Sequence, residues 1–385
     1  MDICMVIRTT GLAFDDRVRK ECLSLVRLGQ EPCILVLENA NKRTSGYTEY
    51  GVPFDAHGLL SRRIFKSGEM IGMKLAELHL RFAAALLRNP PEVLWLHNVE
   101  LAGLIPVAAL LRRLGLCRRT IWDQHELPPA WMLESHFGSW LLKCLMERCD
   151  AVIVANEERR RYLIERLGVG IKDKLHVLEN LADRVFSSLP RASLPGALEG
   201  WLAGEPFLLA QGGAAPNRRL EELVEAVMGV DSIRLVVAGP CLQGKFAALK
   251  AQWGNKLLKK VYFAGMVPQY DLAAFVDHAI ASVILYDSSL ANLRLCAPNR
   301  LYQALARGTP VLVGSNPPMA RIVNENGSGV VITGDGEDVQ ELRSAIREVA
   351  SSFRALAMQA DWVRDRYTWE QQDETVLDIL GKTEA

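Results

Sequence analysis

The chain has 385 residues, more than one hydrophobic core usually supports, so its length predicts two domains. It carries 45 Lys and Arg residues against 45 Asp and Glu residues, and this balance argues against a nucleic-acid-binding protein, which needs a basic excess. Its eight cysteines form no CxxC pair and lie mostly inside apolar segments, which argues against a disulfide scaffold and predicts free thiols in a reducing cytoplasm.

Neither a signal peptide nor a membrane span is expected. The first eight residues lack a basic start followed by a long apolar core, and they predict a strand. The longest apolar run, residues 101–111, is too short to cross a bilayer and contains Pro106. We therefore expect a cytoplasmic protein without a transmembrane segment.

Apolar runs of strand length alternate with helical patterns along the whole chain. The predicted strands are residues 3–7, 33–37, 93–96, 120–122, 151–154 and 175–178, then 207–210, 233–237, 261–263, 281–285, 311–313 and 330–332. Because these strands are continuously apolar and are separated by helices, they indicate parallel sheets covered on both faces. The predicted fold class is α/β, with two doubly wound, Rossmann-like domains.

A linker is predicted at residues 187–196, where Pro, Gly and Ser concentrate and the periodicity stops. We therefore place the first domain at residues 1–188 and the second at residues 198–366. A last helix is predicted from about residue 368 to residue 380.

Candidate functional residues follow predicted strands, at the edge where open α/β sheets bind their ligands. In the first half, Gly11 follows the first strand, and Arg17 lies at the start of a helix whose first acids also stabilise it electrostatically. His97 and Asn98 follow the third strand, and Asn98 serves equally well as the N-cap of the next helix.

His125 follows the fourth predicted strand, between Asp123 and Glu126. A carboxylate beside an imidazole can orient it for catalysis, although a structural His explains the same pattern. Glu126 either polarises His125 or caps the following segment. Neither His125 nor His136 has partners at the spacing typical of zinc sites, so no metal is expected.

In the second half, Gly212 and Gly213 follow a strand and precede a helix. Glycines there let the backbone approach a phosphate, with positive charge supplied by Arg218 or Arg219. A tight turn beside solvated arginines is the alternative.

Residues 297–312 indicate a helix that begins at Pro298, ends at Gly308 and leads into a buried strand. Pro in the first helical turn uses no backbone donor, so the free N–H groups of that turn offer a seat for phosphate. The ligand indicated is a nucleotide.

This segment also carries a family resemblance. Its sequence, APNRLYQALARGTPVL, resembles the PNKLFEYMAAGxPV segment of retaining glycosyltransferases with the GT-B fold, glycosyltransferase family 4 and its relatives. Residues 123–126 resemble the DxHE of that family, residues 97–98 its HD, and residues 15–21 its first helix. The resemblance covers nearly the whole chain. It implies two Rossmann-like domains facing across a cleft, with a C-terminal helix, residues 367–385, crossing back to the first domain.

The resemblance implies a role for each candidate residue. His125 would lie beside the transferring sugar, and Arg218 and Arg300 would hold the diphosphate as it leaves, which makes these three the candidate catalytic residues. The candidate donor-binding residues are Gly212, Gly213, Arg219, Asn292, Pro298, Asn299 and Gln303. The candidate acceptor-binding residues are Gly11, Arg17, His97, Asn98 and Glu126.

Two positions depart from the family pattern. Gln303 stands where the family usually has a ribose-binding Glu, and Leu295 occupies the place of the first acid of its E-x7-E motif. An amide can still hydrogen-bond a ribose, more weakly than a carboxylate. The alternative is that Gln303 is only a polar helix residue.

The implied activity is transfer of a hexosyl group from a nucleotide diphosphate sugar to the hydroxyl of a glycan or lipid-linked acceptor, with the anomeric configuration retained and with neither metal nor cofactor. Such enzymes often build bacterial surface polysaccharides or glycolipids on the cytoplasmic side of the membrane. A sugar-nucleotide epimerase or a phosphorylase of the same fold, and a non-catalytic nucleotide-binding partner of an active transferase, are alternatives.

Basic clusters also mark the first half: Arg62-Arg63, Lys66, Arg112-Arg113 and Arg118-Arg119. Such clusters are usually solvated faces. The alternative is peripheral contact with the anionic inner face of the cell membrane, since some of these clusters flank apolar helix residues.

Overall fold

Two sheets organise the chain, each in a unit of its own. The computed structural model describes residues 2–66, 68–213, 217–241 and 243–381. The first unit comprises Met1–Glu179 with Gln372–Ala385, and the second comprises Asn180–Gln371. Both units are α/β, which confirms the predicted pair of doubly wound domains.

The first unit contains an eight-stranded sheet. Its strands are β1 (Asp2–Thr9), β2 (Glu31–Glu38), β3 (Thr44–Tyr47), β4 (Pro53–Ala56), β5 (Val93–His97), β6 (Arg119–Gln124), β7 (Ala151–Val154) and β8 (Leu175–Val177). Their spatial order is β3-β4-β2-β1-β5-β6-β7-β8, parallel except for the antiparallel pair β3 and β4. Every residue of β5 and β7 is buried, as expected for strands with helices on both faces.

Seven helices of the first unit connect these strands. They are α1 (Asp16–Arg27), α2 (Ser61–Ile64), α3 (Ile71–Arg88), α4 (Ile105–Arg113), α5 (Ala130–Glu134), α6 (His136–Arg148) and α7 (Glu157–Leu167). Short 3-10 turns at Leu12–Phe14, Val99–Leu104 and Val169–Lys174 precede or follow them. Side-chain oxygens of Asp15, Ser135 and Asn156 accept from backbone N–H groups and cap α1, α6 and α7.

The second unit contains a six-stranded parallel sheet. Its strands are β9 (Phe207–Gln211), β10 (Arg234–Ala238), β11 (Val261–Gly265), β12 (Ala281–Ile284), β13 (Val311–Val313) and β14 (Gly329–Val331), in the order β11-β10-β9-β12-β13-β14. Its helices are α8 (Arg184–Ser188), α9 (Gly196–Leu202), α10 (Leu220–Met228), α11 (Gln243–Trp253), α12 (Leu257–Lys260), α13 (Leu272–His278), α14 (Ala291–Arg294), α15 (Asn299–Ala306), α16 (Pro317–Asn326) and α17 (Val339–Val363). Further 3-10 turns lie at Gly254–Lys256, Arg364–Arg366 and Trp369–Gln372.

The last helix, α18 (Asp373–Leu380), belongs to the first unit, as the family resemblance implied. Asp373 accepts from Ser24 Oγ at 2.6 Å and pairs with Arg27 at 2.8 Å. At the other end of the helix, the carbonyl of Ile379 accepts from Arg119 Nε at 2.7 Å.

In each sheet the chain winds outward from one central strand in both directions. In the first sheet the direction reverses between β1 and β5, and in the second between β9 and β12. Such a reversal leaves a crevice beyond the carboxyl ends of the two strands, where α/β proteins bind their ligands. Most of the candidate site residues lie at these two crevices.

Two features differ from the sequence-based prediction. Strands β3 and β4 were not predicted, because they are short and carry few buried apolar residues, with β3 at the sheet edge and β4 next to it. The division at Glu179 precedes the predicted linker, since Arg307 Nη1 binds the carbonyl of Leu189 at 2.7 Å and Trp369 N binds the carbonyl of Ala182 at 2.8 Å. These bonds hold residues 182–189 in the second unit.

Among the described residues, no helix combines the length and the apolar character that a membrane crossing requires.

Candidate functional site

The crevice of the second unit begins with two glycines at the end of β9. Gly212 and Gly213 have φ angles of 93° and 66°, in the left-handed region that favours glycine. A Cβ on Gly213 would lie 2.0 Å from the carbonyl oxygen of Pro240, so the turn is packed too tightly for a side chain. Both glycine N–H groups donate to the carbonyl of Ala238, at 2.7 and 2.9 Å. These glycines therefore offer a ligand close approach, not hydrogen bonds.

Two arginines from different segments of the second unit contact the same turn. Arg218 precedes α10 and donates from Nη1 to the carbonyl of Gly212 at 2.7 Å. Arg300 lies in the first turn of α15 and donates from Nη1 to the carbonyl of Gln211. Their guanidinium carbons lie 5.9 and 4.7 Å from the ring centroid of Tyr286, which follows β12. The pair therefore sits at the β9–β12 reversal.

No carboxylate among the described residues forms an ion pair with Arg218 or Arg300. Burial, and then the charge of Arg300, lower the pKa of Arg218. The Nε and Nη2 groups of Arg300 are buried and lack a hydrogen-bond acceptor within the described ranges. One buried and one half-buried cation without a paired carboxylate are costly in the empty protein, and an anion placed between them would remove that cost.

Helix α15 borders this pair. Pro298 is its N-cap residue and Asn299 its first residue, so the helix begins one residue later than predicted. Gln303, one turn along the helix from Arg300, is 4% exposed and makes no side-chain hydrogen bond to any described residue. Leu295 is buried. The candidate donor residue Asn292 lies half-buried in α14, which directly precedes this loop.

Arg219 is placed differently from its neighbour. Its Nη2 lies 2.9 Å from Asp335 Oδ2 and within 4.0 Å of Asp287 and Glu337, and its Nη1 lies 3.5 Å from Glu222. The negative charge of these carboxylates offsets the attraction of this guanidinium for an anionic ligand. Its role in donor binding stays a prediction, and its observed contacts join three loops of the second unit.

A separate cavity of about 970 Å³ lies beyond the ends of β12, β13 and β14. Its lining is polar and acidic: Ser288, Ser315, Thr333, Gly334, Asp335, Glu337, Asp338, Gln340, Glu341 and Ser344. Such a lining repels anions, so the arginine pair is the better candidate for a phosphate site.

The first unit holds a buried polar cluster at the ends of β5 and β6. Arg17 binds Asp123 with two bonds, Nε to Oδ2 at 2.7 Å and Nη2 to Oδ1 at 3.2 Å, and donates to the carbonyl of Leu178 at 3.0 Å. Glu21, one helical turn after Arg17, lies 3.0 Å from the same guanidinium. Arg17 was predicted to contact the acceptor, but its guanidinium is buried and hydrogen-bonded to Asp123 and to the carbonyl of Leu178.

The two buried carboxyl groups of this cluster have pKa values that are shifted in opposite directions. Although burial favours the neutral form, Arg17 holds the pKa of Asp123 well below its usual range. Burial, and then the charge of Asp123, raise the pKa of Glu21 well above its usual range. Arg17 therefore favours the charged form of Asp123, whereas the surroundings of Glu21 favour its neutral form.

Two histidines flank Asp123. Nδ1 of His97 and Nδ1 of His125 each lie 3.5 Å from Asp123 Oδ2, and the two rings are edge-on with centroids 6.2 Å apart. His97 is 1% exposed, whereas the side chain of His125 is 24% exposed. The carbonyl of His125 accepts from Arg159, which fixes the backbone at this point. His125 is thus the member of the cluster that a ligand can reach.

The other acceptor candidates lie around this cluster. Glu126 is exposed, and Gly11 is half-buried before the Leu12–Phe14 turn. Asn98 directly precedes the Val99–Leu104 turn, but its side chain makes no capping bond. Its φ and ψ angles of 61° and 168° are strained for a residue with a side chain. Such strain at the end of β5 is typical of functional sites.

One group of residues in the described ranges has the spacing of a metal site. Ligand atoms of His97, Asp123 and His125 lie within 4.8 Å of one another. The same oxygen of Asp123 accepts from Arg17 Nε at 2.7 Å, so a cation there would be repelled by the guanidinium.

The buried state of His97 predicts a measurable acid sensitivity. Burial lowers the pKa of His97 from 6.5 to about 3. Because the folded-state pKa is the lower one, the unfolded chain binds a proton between these values that the folded chain excludes, and stability falls as the pH falls. We expect His97→Gln to reduce this slope by up to one proton, about 1.4 kcal/mol per pH unit. Urea unfolding between about pH 4 and pH 6 measures it, and an unchanged slope would contradict the neutral, buried state.

Sequence reasoning missed two members of these clusters as site residues. Glu21 was noted only within a motif, although its position four residues after Arg17 on a helix brings the two side chains together. Tyr286 follows β12 at the reversal point and supports both arginines. Its position directly after a buried strand was the available signal.

Comparison with known proteins places this geometry in context. Residues 199–363 match the family described as glycosyl transferases group 1. No curated protein sequence gives a significant match. Several solved structures match over almost the full length, at 11–15% identity. Sucrose-phosphate synthase from Thermosynechococcus elongatus has a TM-score of 0.73 at 15% identity, with 98% of both chains covered.

Two further structures were solved with ligands. An E. coli trehalose-6-phosphate structure bound with UDP-2-fluoro glucose has a TM-score of 0.74 at 12% identity, with 99% of each chain covered. HepE from Anabaena in complex with UDP and glucose has a TM-score of 0.71 at 13% identity, again with 99% of each chain covered. These likenesses extend over both units and show the shared fold.

Proposed function

We propose that this chain, which carries a group 1 glycosyltransferase domain and has the GT-B fold, transfers a hexosyl group from a nucleoside diphosphate sugar to an acceptor hydroxyl with retention of configuration. The second unit binds the donor, and the first unit contributes His125 and the acceptor site. The observation that carries the proposal is the pair of uncompensated arginines, Arg218 and Arg300, at the β9–β12 reversal.

The arginine pair supplies the chemistry that sugar transfer needs most. When the bond between the anomeric carbon and the diphosphate oxygen breaks, negative charge grows on the departing diphosphate. Two preorganised guanidinium groups stabilise that charge without the cost of reorganising solvent. We therefore propose that Arg218 and Arg300 act as electrostatic catalysts in place of a metal ion, and that the reaction needs no cofactor.

In the first unit we propose that His125 contacts the transferring sugar. Asp123 lies against Nδ1 of His125, which leaves the other ring nitrogen to meet a hydroxyl group. Arg17 fixes Asp123, so the chain Arg17–Asp123–His125 orients the imidazole. The departing diphosphate, not a protein carboxylate, then takes the proton of the attacking hydroxyl on the same face of the sugar, which retains the configuration.

The first experiment is a thermal-shift panel of UDP, GDP, ADP, dTDP and CMP. UDP is tested first because two structural neighbours hold UDP or a UDP sugar. We expect one nucleoside diphosphate to raise Tm in the wild type and to lose its effect in Arg218→Ala. A transfer assay with the matching sugar nucleotide then measures the acceptor-dependent release of the nucleoside diphosphate. Release without an acceptor, with a changed sugar, would favour an epimerase.

In this proposal Gln303 contacts the ribose and not the diphosphate, so a variant at this position tests ribose binding alone. We expect Gln303→Ala to lower the affinity of the protein for the nucleoside diphosphate by about fivefold to tenfold, which is the effect of one neutral hydrogen bond. Its affinity for inorganic pyrophosphate, which lacks the ribose, should stay unchanged. Isothermal titration with both ligands measures the difference, and an equal loss for both would remove Gln303 from the ribose site.

A second candidate function rests on the departures at Leu295 and Gln303. Without the two acids of the family pattern, the chain would bind a nucleotide and assist an active transferase without catalysing transfer. This alternative would be favoured if the chain binds a nucleotide but itself transfers no sugar to any acceptor, while a partner transferase in the same extract is active.

We further propose that the reaction belongs to bacterial surface polysaccharide or glycolipid synthesis, within family 4 of the retaining enzymes, and that it takes place in the cytoplasm at the inner face of the membrane. The support is the sequence resemblance together with the basic clusters of the first unit. A glycan or lipid-linked acceptor would follow from this setting.

A further inference from the structure

We propose that residues 60–66 and 68–74, here called the α2–α3 corner, dock on an anionic lipid bilayer. The proposal deepens the proposed function, on which its membrane setting rests, by naming the surface that contacts the lipid. The corner connects β4 to α3 and contains α2.

Large apolar side chains are unusually exposed at the corner. Leu60 is 56% exposed, Ile64 75%, Met70 54%, Ile71 58% and Met73 38%. Single exposed apolar residues are ordinary, but five within one short segment mark a surface that contacts something else.

Basic residues are interleaved with these apolar ones. The segment contains one acidic residue, Glu69, and four basic residues, Arg62, Arg63, Lys66 and Lys74, so its net charge is +3. Arg63 is exposed and its side chain makes no ion pair with any described residue. A protein partner with an apolar interface would have little use for this charge, whereas anionic lipid headgroups over an acyl layer match both features.

The corner is held rigidly, so the exposed side chains are not those of a frayed loop. Glu77 of α3 accepts from the N–H groups of Leu60 and Ser61, at 2.7 and 2.9 Å, and caps α2. Although partial burial opposes it, these bonds and those from the side chains of Ser61 and Arg81 lower the pKa of Glu77 to about 2. Asn41 exchanges two hydrogen bonds with the backbone of Leu59, at 2.6 and 2.9 Å.

The position of the corner fits an acceptor supplied from the bilayer. Strand β4 is parallel to β2, and through β1 and β5 it is parallel to β6. The residues after β4 and after β6 therefore emerge at one edge of the first sheet. This edge carries both the corner and His125, so lipid bound at the corner lies on the side of the unit where we place the acceptor site.

Vesicle co-sedimentation of the full chain tests the proposal. We expect binding to vesicles of phosphatidylcholine with about 30 mol % phosphatidylglycerol, and little to phosphatidylcholine alone. Arg63→Glu/Lys66→Glu and Ile64→Ser/Ile71→Ser should each reduce the partition coefficient about tenfold or more. The matched control, Arg354→Glu/Met358→Ser, changes an exposed base and an exposed apolar side chain on α17 of the second unit and should bind as the wild type does.

Three results would overturn the proposal. They are no vesicle binding by the wild type, an equal loss in the control, or a dimer by light scattering that Ile64→Ser/Ile71→Ser dissociates, which would make a second copy the occupant. The nucleoside diphosphate thermal shift is measured on the same variants. A wild type that binds nucleotide but not vesicles refutes the docking surface alone, whereas one that binds vesicles but no nucleotide refutes the proposed function.

Discussion

Replacing Arg300 by alanine is expected to lower kcat/KM for the nucleoside diphosphate sugar by roughly a hundredfold to a thousandfold. In the proposed mechanism, the variant removes one of the two cations that stabilise the departing diphosphate, together with the hydrogen bonds that Nε and Nη2 would donate to it. Because Arg300 and Arg218 repel each other in the empty protein, the unfolding free energy should stay within about 1 kcal/mol of the wild type. Steady-state transfer rates and urea unfolding measure the two quantities.

Two further variants sharpen this prediction. Arg300→Lys keeps the charge but loses the planar fork, so it should recover only part of the rate. Arg294→Ala removes an exposed arginine at the end of α14 and should leave transfer unchanged. A large loss of stability in Arg300→Ala, with nucleotide affinity intact, would show that the side chain is structural.

The second large effect is expected from Asp123→Asn, which leaves the buried Arg17 guanidinium without its carboxylate. Breaking a buried pair by removing one partner costs about 3–5 kcal/mol. We expect a loss near the lower end, about 3 kcal/mol, because Glu21 lies 3.0 Å from Arg17 and can ionise in compensation. Urea unfolding near neutral pH measures the loss.

Glu21→Gln is the matched control for this prediction. The raised pKa of Glu21 favours its neutral form, so a neutral amide of the same shape should cost less than about 1 kcal/mol. The double variant removes the compensation and should lose more than the sum of the two single losses. The acid dependence has a definite sign: since the pKa of Asp123 is lowered in the folded state, its stabilisation is present above its usual pKa and disappears as the pH falls through the folded-state value. An equal loss in Glu21→Gln and Asp123→Asn would mean that both carboxyl groups are ionised.

The sequence was sufficient to predict the fold because the buried strands are continuously apolar. The runs at residues 93–96 and 151–154, for example, match β5 and β7 to within one residue. The short strands β3 and β4 escaped prediction because sheet pairing, not composition, defines them. The division between the units lies earlier than predicted because Arg307 ties the segment around Leu189 to the second unit, a contact that local composition does not encode.

The candidate site was less predictable than the fold. Position after a strand pointed to His125 and Arg218, and the family resemblance added Arg300. Position did not reveal that Arg218 is uncompensated whereas Arg219 is surrounded by acids. Nor did it reveal that Arg17 is committed to Asp123. These differences arise from residues distant in the chain, such as Asp335, which only the tertiary fold brings into contact.

The close packing of the glycine turn constrains how this protein can evolve. A Cβ at Gly212 would lie 1.6 Å from Arg218 Nη1, and one at Gly239 would lie 2.5 Å from the backbone nitrogen of Gly213. Any side chain at these positions displaces either a guanidinium or the neighbouring strand ends. A change in donor specificity is therefore expected to arise from substitutions in the surrounding loops. The glycines of the turn are expected to stay unchanged.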